Sequence, residues 1–198
     1  MVSPRERMVV SAALLIRERG AHPTAIADVL EHSGAPRGSA YHYFPGGRTQ
    51  LLCEAIDFVG NHIAARIQKG HSGIEILDRL VSDYRRELLD TDYRAGCPVV
   101  AVSVEAGDPA KQEQAAPVTE RAAAAFGRWN DLIAAQLIAD GIAAKRAGEL
   151  AMLVITAIEG AIVVARASRD VKPLDLVHHQ LRALLGVSAP ERKSEDDQ

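Results

Sequence analysis

Cysteine is scarce in this chain: Cys53 and Cys97 are the only two, which gives no metal-ligand spacing and no disulfide framework. Both lie among apolar residues and read as reduced thiols, leaving a redox role for Cys97 as a minor possibility. Aromatic residues make up only 4% of the sequence, and Ala, Leu, Ile and Val dominate in their place, a composition that favours helix over sheet. No strong charge of one sign is present. The formal net charge is −3, which excludes a basic coat for nucleic acid. Met1-Val2-Ser3-Pro4 leads straight into a charged segment, so no signal peptide is expected. The longest apolar stretch, Leu150 to Ala165, is interrupted by Glu159 and reads as a buried helix rather than a membrane span.

Catalytic patterns are missing as well. There is no HExxH, GxSxG or P-loop, and no clustered carboxylate set. His178 and His179 are sequence neighbours, about 100° apart on a helix, which is poor geometry for one metal ion. The expectation is a protein that is not an enzyme, with no catalytic residues, no cofactor and no metal.

What the sequence does contain is a short polar interlude in an otherwise apolar chain that is 47% hydrophobic over 198 residues. Ile26, Ala27, Val29 and Leu30 fall at helical spacing, with Thr24 placed as N-cap. Gly34 supplies a left-handed stop, and Pro36 suits the first turn of a new helix. That second helix, Arg37 to Phe44, carries hydrogen-bonding groups on nearly every side. Gly38 inside it would cost about 1 kcal/mol relative to Ala, so it calls for a reason such as the close approach of a partner backbone. Two helices joined by a Gly-containing turn, the second polar, describe a helix-turn-helix. Residues 1–50 hold six arginines against four acids, a surplus of two, so the remainder carries −5. That N-terminal bias fits a DNA-binding end.

GAPRGSAYHYFPGGRTQL, from Gly34 onward, resembles the recognition-helix signature of the tetracycline-repressor (TetR) family of transcriptional regulators, and most closely its LmrA and YxaF subgroup. A second run, GCPVVAVSVEAG from Gly96 to Gly107, is similar to that subgroup's regulatory domain. The resemblance implies an N-terminal helix-turn-helix domain, a connector helix, a regulatory bundle, a homodimer on a palindromic operator, and a small effector that moves the connector. It also implies that Arg48 is a basic phosphate contact.

The rest of the chain reads as helices. A capping box at Ser3-Pro4-Arg5-Glu6 opens one that Gly20 closes. A long one begins at Arg48 and runs to Gly70, and Ser72-Gly73-Ile74-Glu75 is a second capping box, opening a helix that reaches about Asp90. The run from Cys97-Pro98 to Gly107 is β-branched enough to suggest a strand. A lone strand has no partner here, however, and Pro98 suits a first helical turn, so helix is the expectation. After a break at Asp108-Pro109, helices follow over Gln112 to Ala139, Ala143 to Ser168, and from Pro173 on. The polar end from Ser188 reads as a disordered tail.

The expected fold is therefore all-α with about nine helices: residues 1–47 as the DNA-binding domain, 48–187 as a ligand-binding and dimerisation bundle, and 188–198 as tail. The expected DNA contacts are Thr24, Pro36, Arg37, Gly38, Ser39, Tyr41, His42, Tyr43 and Arg48. Arg37 would reach a guanine edge or a phosphate, and the others mostly phosphate. A cavity for a small hydrophobic or aromatic effector would be lined from Phe58, His62, Tyr84, Val99, Val102, Phe126, Trp129, Met152 and Ile155, with Glu105 or Glu159 as polar anchor. A dimer seam would use Ile158, Ile162, Leu174, Val177, Leu181 and Leu184. The expected function is a cytoplasmic transcriptional repressor released from DNA by its effector. The alternative is a helical small-molecule-binding or scaffold protein without DNA binding, which would leave Gly38 and the polar helix unexplained.

Overall fold

Local capping explains where the first helix begins. Ser3 Oγ accepts the Glu6 N–H at 3.2 Å, and the Glu6 carboxylate accepts the Ser3 N–H at 2.8 Å, a reciprocal box that satisfies two otherwise orphan donors. From there α1 (Pro4–Arg19) buries Met8, Val9, Ala12, Ala13 and Ile16 across α2 (Ile26–Ser33) and α4 (Gly47–Ile67). Gly34, at φ +64°, stops α2 in the left-handed region. A turn closed by the Ser39 N–H on Pro36 O at 2.9 Å then leads into α3 (Ser39–Tyr43). Phe44 closes the unit, fully buried, with the Arg5 guanidinium 5.3 Å from its ring centre. The computed structural model describes residues 3–105 and 112–188.

Two local expectations need correction in this module. The N-cap of α2 is Ala25, whose N–H donates to Asp28 Oδ2 at 3.0 Å; Thr24 lies one residue earlier and its hydroxyl turns back onto Gly20 O. The second helix is shorter than Arg37 to Phe44, because Pro36 and Arg37 belong to the turn and Gly38 is the N-cap of α3.

The remaining helices are α5 (Gly73–Asp90), α6 (Pro98–Val104), α7 (Gln112–Ala139), α8 (Ala144–Ser168) and α9 (Lys172–Ser188). No strand occurs among the described residues. Ser72 Oγ caps α5 by accepting the Glu75 N–H at 3.1 Å; Glu75 itself reaches back to the His71 N–H rather than to Ser72. The β-branched run is helical as expected, with Pro98 at its first turn. The expected break at Asp108-Pro109 and the end of that run at Gly107 lie outside the described residues. So does the expected tail, except Ser188, which closes α9.

Packing runs from α4 onto α7, from α7 onto α8, from α8 onto α9 and from α9 back onto α5, while α6 bridges α1 and α7. The α4–α7 crossing is close. A Cβ on Gly60 would sit 3.1 Å from Ala125 Cβ, and Trp129 Nε1 donates to Gly60 O at 2.9 Å.

Helix α8 is apolar on two sides, and among the described residues it alone is long and apolar enough to cross a membrane. Its inner side, Leu150, Val154, Ile155, Ile158, Ile162 and Ala165, is buried in the subunit. Its outer side exposes Met152, Leu153, Val163 and Val164. The dimer seam expected from the sequence falls on the wrong side. Ile158, Ile162, Leu174 and Leu181 are all under 5% exposed, and Val177 and Leu184 pack half-buried against the same core. An apolar stripe whose partner is within the subunit is unavailable to a second copy.

Candidate nucleic-acid interface and interior cavities

The recognition segment stands clear of the protein. Pro36, Arg37, Gly38, Tyr41 and His42 are exposed, Tyr41 by 71%, while Ser39 and Tyr43 are half-buried. Three anchors hold it: Ala40, buried against the core, the Phe44 ring beneath Arg5, and a bond from Ser39 Oγ to Pro36 O at 2.6 Å. The His42 and Tyr43 rings meet edge-on at 5.2 Å. A Cβ on Gly38 would meet nothing within 4 Å, and its φ of −82° is open to any residue. Nothing in the free protein therefore demands glycine there. The room it leaves lies on the outside.

Two expected DNA contacts are turned inward instead. Thr24 is 1% exposed, and its hydroxyl donates to Gly20 O at 2.7 Å, so it has no free group for a phosphate. The Arg48 guanidinium donates to Thr24 O at 2.9 Å, to His22 O at 3.2 Å and to Ala21 O. These carbonyls take three of its five N–H donors, from Nε and Nη2, and burial draws its pKa below the ordinary arginine value. Thr24 and these three donors of Arg48 staple the α1–α2 loop.

The expected cavity residues divide among several places. Tyr84, Trp129, Ile155 and Glu159 do converge, around a core void of about 20 Å³ between α4, α5, α7 and α8. Phe58 and His62, stacked at 6.1 Å, line instead an outer cleft of about 160 Å³ between α1, α4 and α5, with Tyr84 as its inner wall. Phe126 packs edge-on against Trp129 at 5.3 Å without reaching either space. Val99 and Val102 are ordinary core. Met152 is 51% exposed on the outer side of α8 with Leu153, while Ala151 before it and Val154 beyond face inward. Glu105 is not an anchor of the core void: its carboxylate accepts the His22 N–H at 2.7 Å. It borders, with Glu159 and Cys97, a larger groove of about 700 Å³ between the end of α1, α6 and α8.

The partition between these spaces is a buried polar cluster. The Tyr84 hydroxyl, the Cys97 thiol and the Glu159 carboxyl lie close enough together to shift one another's proton affinity. Desolvation pushes the tyrosine and the thiol well above their usual ranges and raises Glu159 to about 7. Glu159 Oε2 has no hydrogen-bond partner. Although the stem of Glu159 borders the groove, its carboxyl is enclosed. A thiol held protonated in this way is the opposite of a reactive thiolate, which argues against a redox role for Cys97.

Sequence reasoning missed Gly96 and Arg166. The Arg166 guanidinium donates to Arg17 O and Glu18 O, almost 150 positions earlier in the chain, and the Gly96 N–H also donates to Arg17 O. No spacing signal connects such distant residues.

A helix-turn-helix with an exposed polar segment, packed against a helical bundle, is the architecture of a DNA-binding regulator. Residues 9–55 match the bacterial regulatory proteins of the tetR family. Residues 73–180 match the C-terminal domain of LmrA/YxaF-like transcriptional regulators. An uncharacterized HTH-type transcriptional regulator of Mycobacterium tuberculosis is 66% identical over 192 residues, covering 97% of this chain and 99% of that one. The HTH-type regulator LmrA of Bacillus subtilis is 27% identical, covering 86% and 90%. A TetR transcriptional regulator from Legionella pneumophila shares the fold at a TM-score of 0.78, with 18% identity and 93% and 98% covered. The chain belongs to the TetR family of transcriptional regulators, in its LmrA/YxaF-like branch. It is a DNA-binding protein of a family of regulators, not of enzymes.

Proposed function

We propose that the protein is a cytoplasmic, homodimeric repressor that binds a palindromic operator and leaves it when a small hydrophobic or aromatic effector enters the bundle. In this reading residues 1–47 are the DNA-binding unit and 48–187 the ligand-binding and dimerisation unit. The observation that carries it is the exposed segment Pro36–Tyr43, with open space over Gly38 and the solvent-facing Arg37, Tyr41 and His42. Arg37 is the base-reading candidate. Tyr41, His42 and the neighbouring backbone are phosphate contacts.

The second copy docks on the outer face of α8 and α9. Met152, Leu153, Val163 and Val164 of α8, and Leu176 and Val187 of α9, are all exposed and apolar. A two-fold axis through that face makes the patch self-complementary. It also presents the two recognition segments to half-sites about 34–36 Å apart.

The effector space is the region on both sides of Tyr84. The void and the cleft are each too small for a drug-sized ligand, whose sites run to about 300–1,000 Å³. Binding therefore joins them by displacing Tyr84, which strains α4 and α5 together. A coupling of about 1–3 kcal/mol suffices to alter operator occupancy strongly.

A footprint of the purified protein on DNA flanking its own gene, repeated by gel shift over a salt series, tests the proposal. A protected palindrome whose affinity falls steeply with salt is expected, because phosphate contacts release counterions. Affinity flat in salt, or no protection anywhere, would sink it.

A further inference from the structure

We propose that Arg166 is a positioning residue for DNA recognition: with Gly96 and Glu105 it locks the end of α1 and the loop after it to the regulatory bundle and so sets the pitch of the paired recognition helices. The inference rests on the dimeric operator reading above.

The last carbonyls of a helix have no partners within it. At the end of α1 those of Arg17 and Glu18 are taken instead by one guanidinium from α8. Arg166 Nη1 donates to Arg17 O at 3.3 Å, and Nη2 donates to Glu18 O. The Gly96 N–H adds a bond to Arg17 O at 3.0 Å. A cation at a helix C-terminus is favoured by the dipole, and a fork that meets two successive carbonyls fixes direction as well as distance.

Glycine at 96 makes this possible. A Cβ there would stand 3.1 Å from Arg166 Nη1 and 3.4 Å from Arg17 O. On the far side of the loop Glu105 Oε2 accepts the His22 N–H at 2.7 Å, and its other oxygen fills the space where a Cβ of Gly20 would lie. Gly20 sits at φ +91°, so the loop is shaped to receive that carboxylate.

Arg166 shares its helix with Val163 and Val164 of the apolar outer face. One rigid element thus carries both the surface that meets the second copy and the side chain that grips the DNA-binding unit. The packing of α1 on α4 resists separation of the two units, but apolar burial is non-directional. With the Arg17–Glu87 ion pair at 3.4 Å, the latch supplies directional bonds that fix rotation. Pitch on the operator follows from rotation at this joint, and the bonds of the three groups go to Arg17, Glu18 and His22 rather than to the exposed recognition segment.

Three DNAs test the idea: the footprinted operator, the same operator with one or two base pairs inserted between half-sites, and a single half-site. The wild type should discriminate sharply against the inserted spacers. Arg166→Gln should narrow that discrimination by at least about fivefold while half-site affinity and dimer mass, read by sedimentation, stay as in the wild type. Glu105→Ala should move the same way to a smaller extent, and it decides alone if Arg166→Gln fails to fold. Undiminished spacer discrimination in the folded variants overturns the inference, as does a parallel loss of half-site affinity, which would mark a merely structural role. A wild type that is monomeric or indifferent to spacing refutes the dimeric reading and this inference with it. Selective variants beside a selective wild type refute this inference alone.

Discussion

Glu159→Gln should change how stability responds to pH, and the size of the change follows from where the carboxyl lies. The Glu159 carboxyl is enclosed beside the Cys97 thiol and has an oxygen without a partner, so it keeps its proton up to about pH 7 rather than the ordinary 4.5. Below pH 4.5 the folded and unfolded chains both hold this proton, and no ionic penalty exists. Between there and pH 7 only the unfolded chain releases it, which favours unfolding progressively as pH rises. Above pH 7 both states are ionised and the penalty is constant. At about 1.4 kcal/mol per pH unit, the gap between the two values amounts to about 3 kcal/mol.

Glutamine has no proton to lose, so the stability of Glu159→Gln relative to wild type should grow by about that amount from pH 4.5 to pH 8. For a chain of this size that corresponds to a divergence of about 6–12 °C in Tm. Urea unfolding of both proteins at pH 4.5, 6, 7 and 8 reads it directly. Other titrating groups are common to the pair and cancel, and any fixed cost of burying the amide shifts the whole curve without tilting it. Parallel curves would mean that the carboxyl is ionised and partnered in the folded protein, and the account of the buried cluster would be wrong.

Arg37→Ala should weaken operator binding by about 1–3 kcal/mol while leaving non-specific DNA binding far less changed; equal losses on both DNAs in a filter-binding titration would reduce Arg37 to a phosphate contact. Gly38→Ala should leave thermal stability unchanged or raise it by up to about 1 kcal/mol, since its Cβ meets nothing in the free protein. It should nevertheless impair operator binding, and full affinity would remove the case for close backbone approach. Leu176→Glu, at a position 62% exposed, should give folded monomers by sedimentation, whereas Leu181→Glu, at 4%, should cost stability instead. A persisting Leu176→Glu dimer would move the seam off the outer face of α9.

Much of the fold was legible because its signals are local. The Ser3 and Ser72 caps, the Gly34 stop and the Pro98 start act over three or four residues, and they sit where those spacings put them. The helix-turn-helix was equally legible, because a polar segment between apolar ones has few other uses. Thr24 and Arg48 were misjudged because residue type shows what a side chain can bond but not which partner arrives first. A loop of bare carbonyls closer than any phosphate claimed both of them.

The sequence by itself determined the helices, their order and the position of the recognition segment, since hydrophobic period and capping chemistry are written within each stretch of chain. Only the tertiary structure decided which side of α8 is spent inside the subunit, because a helix apolar on two faces carries no mark of which face is covered. It alone also brought Arg166 to the end of α1 and closed Tyr84, Cys97 and Glu159 into one buried cluster. Those contacts join residues far apart in the chain, and their existence depends on how whole helices cross rather than on any pattern within one.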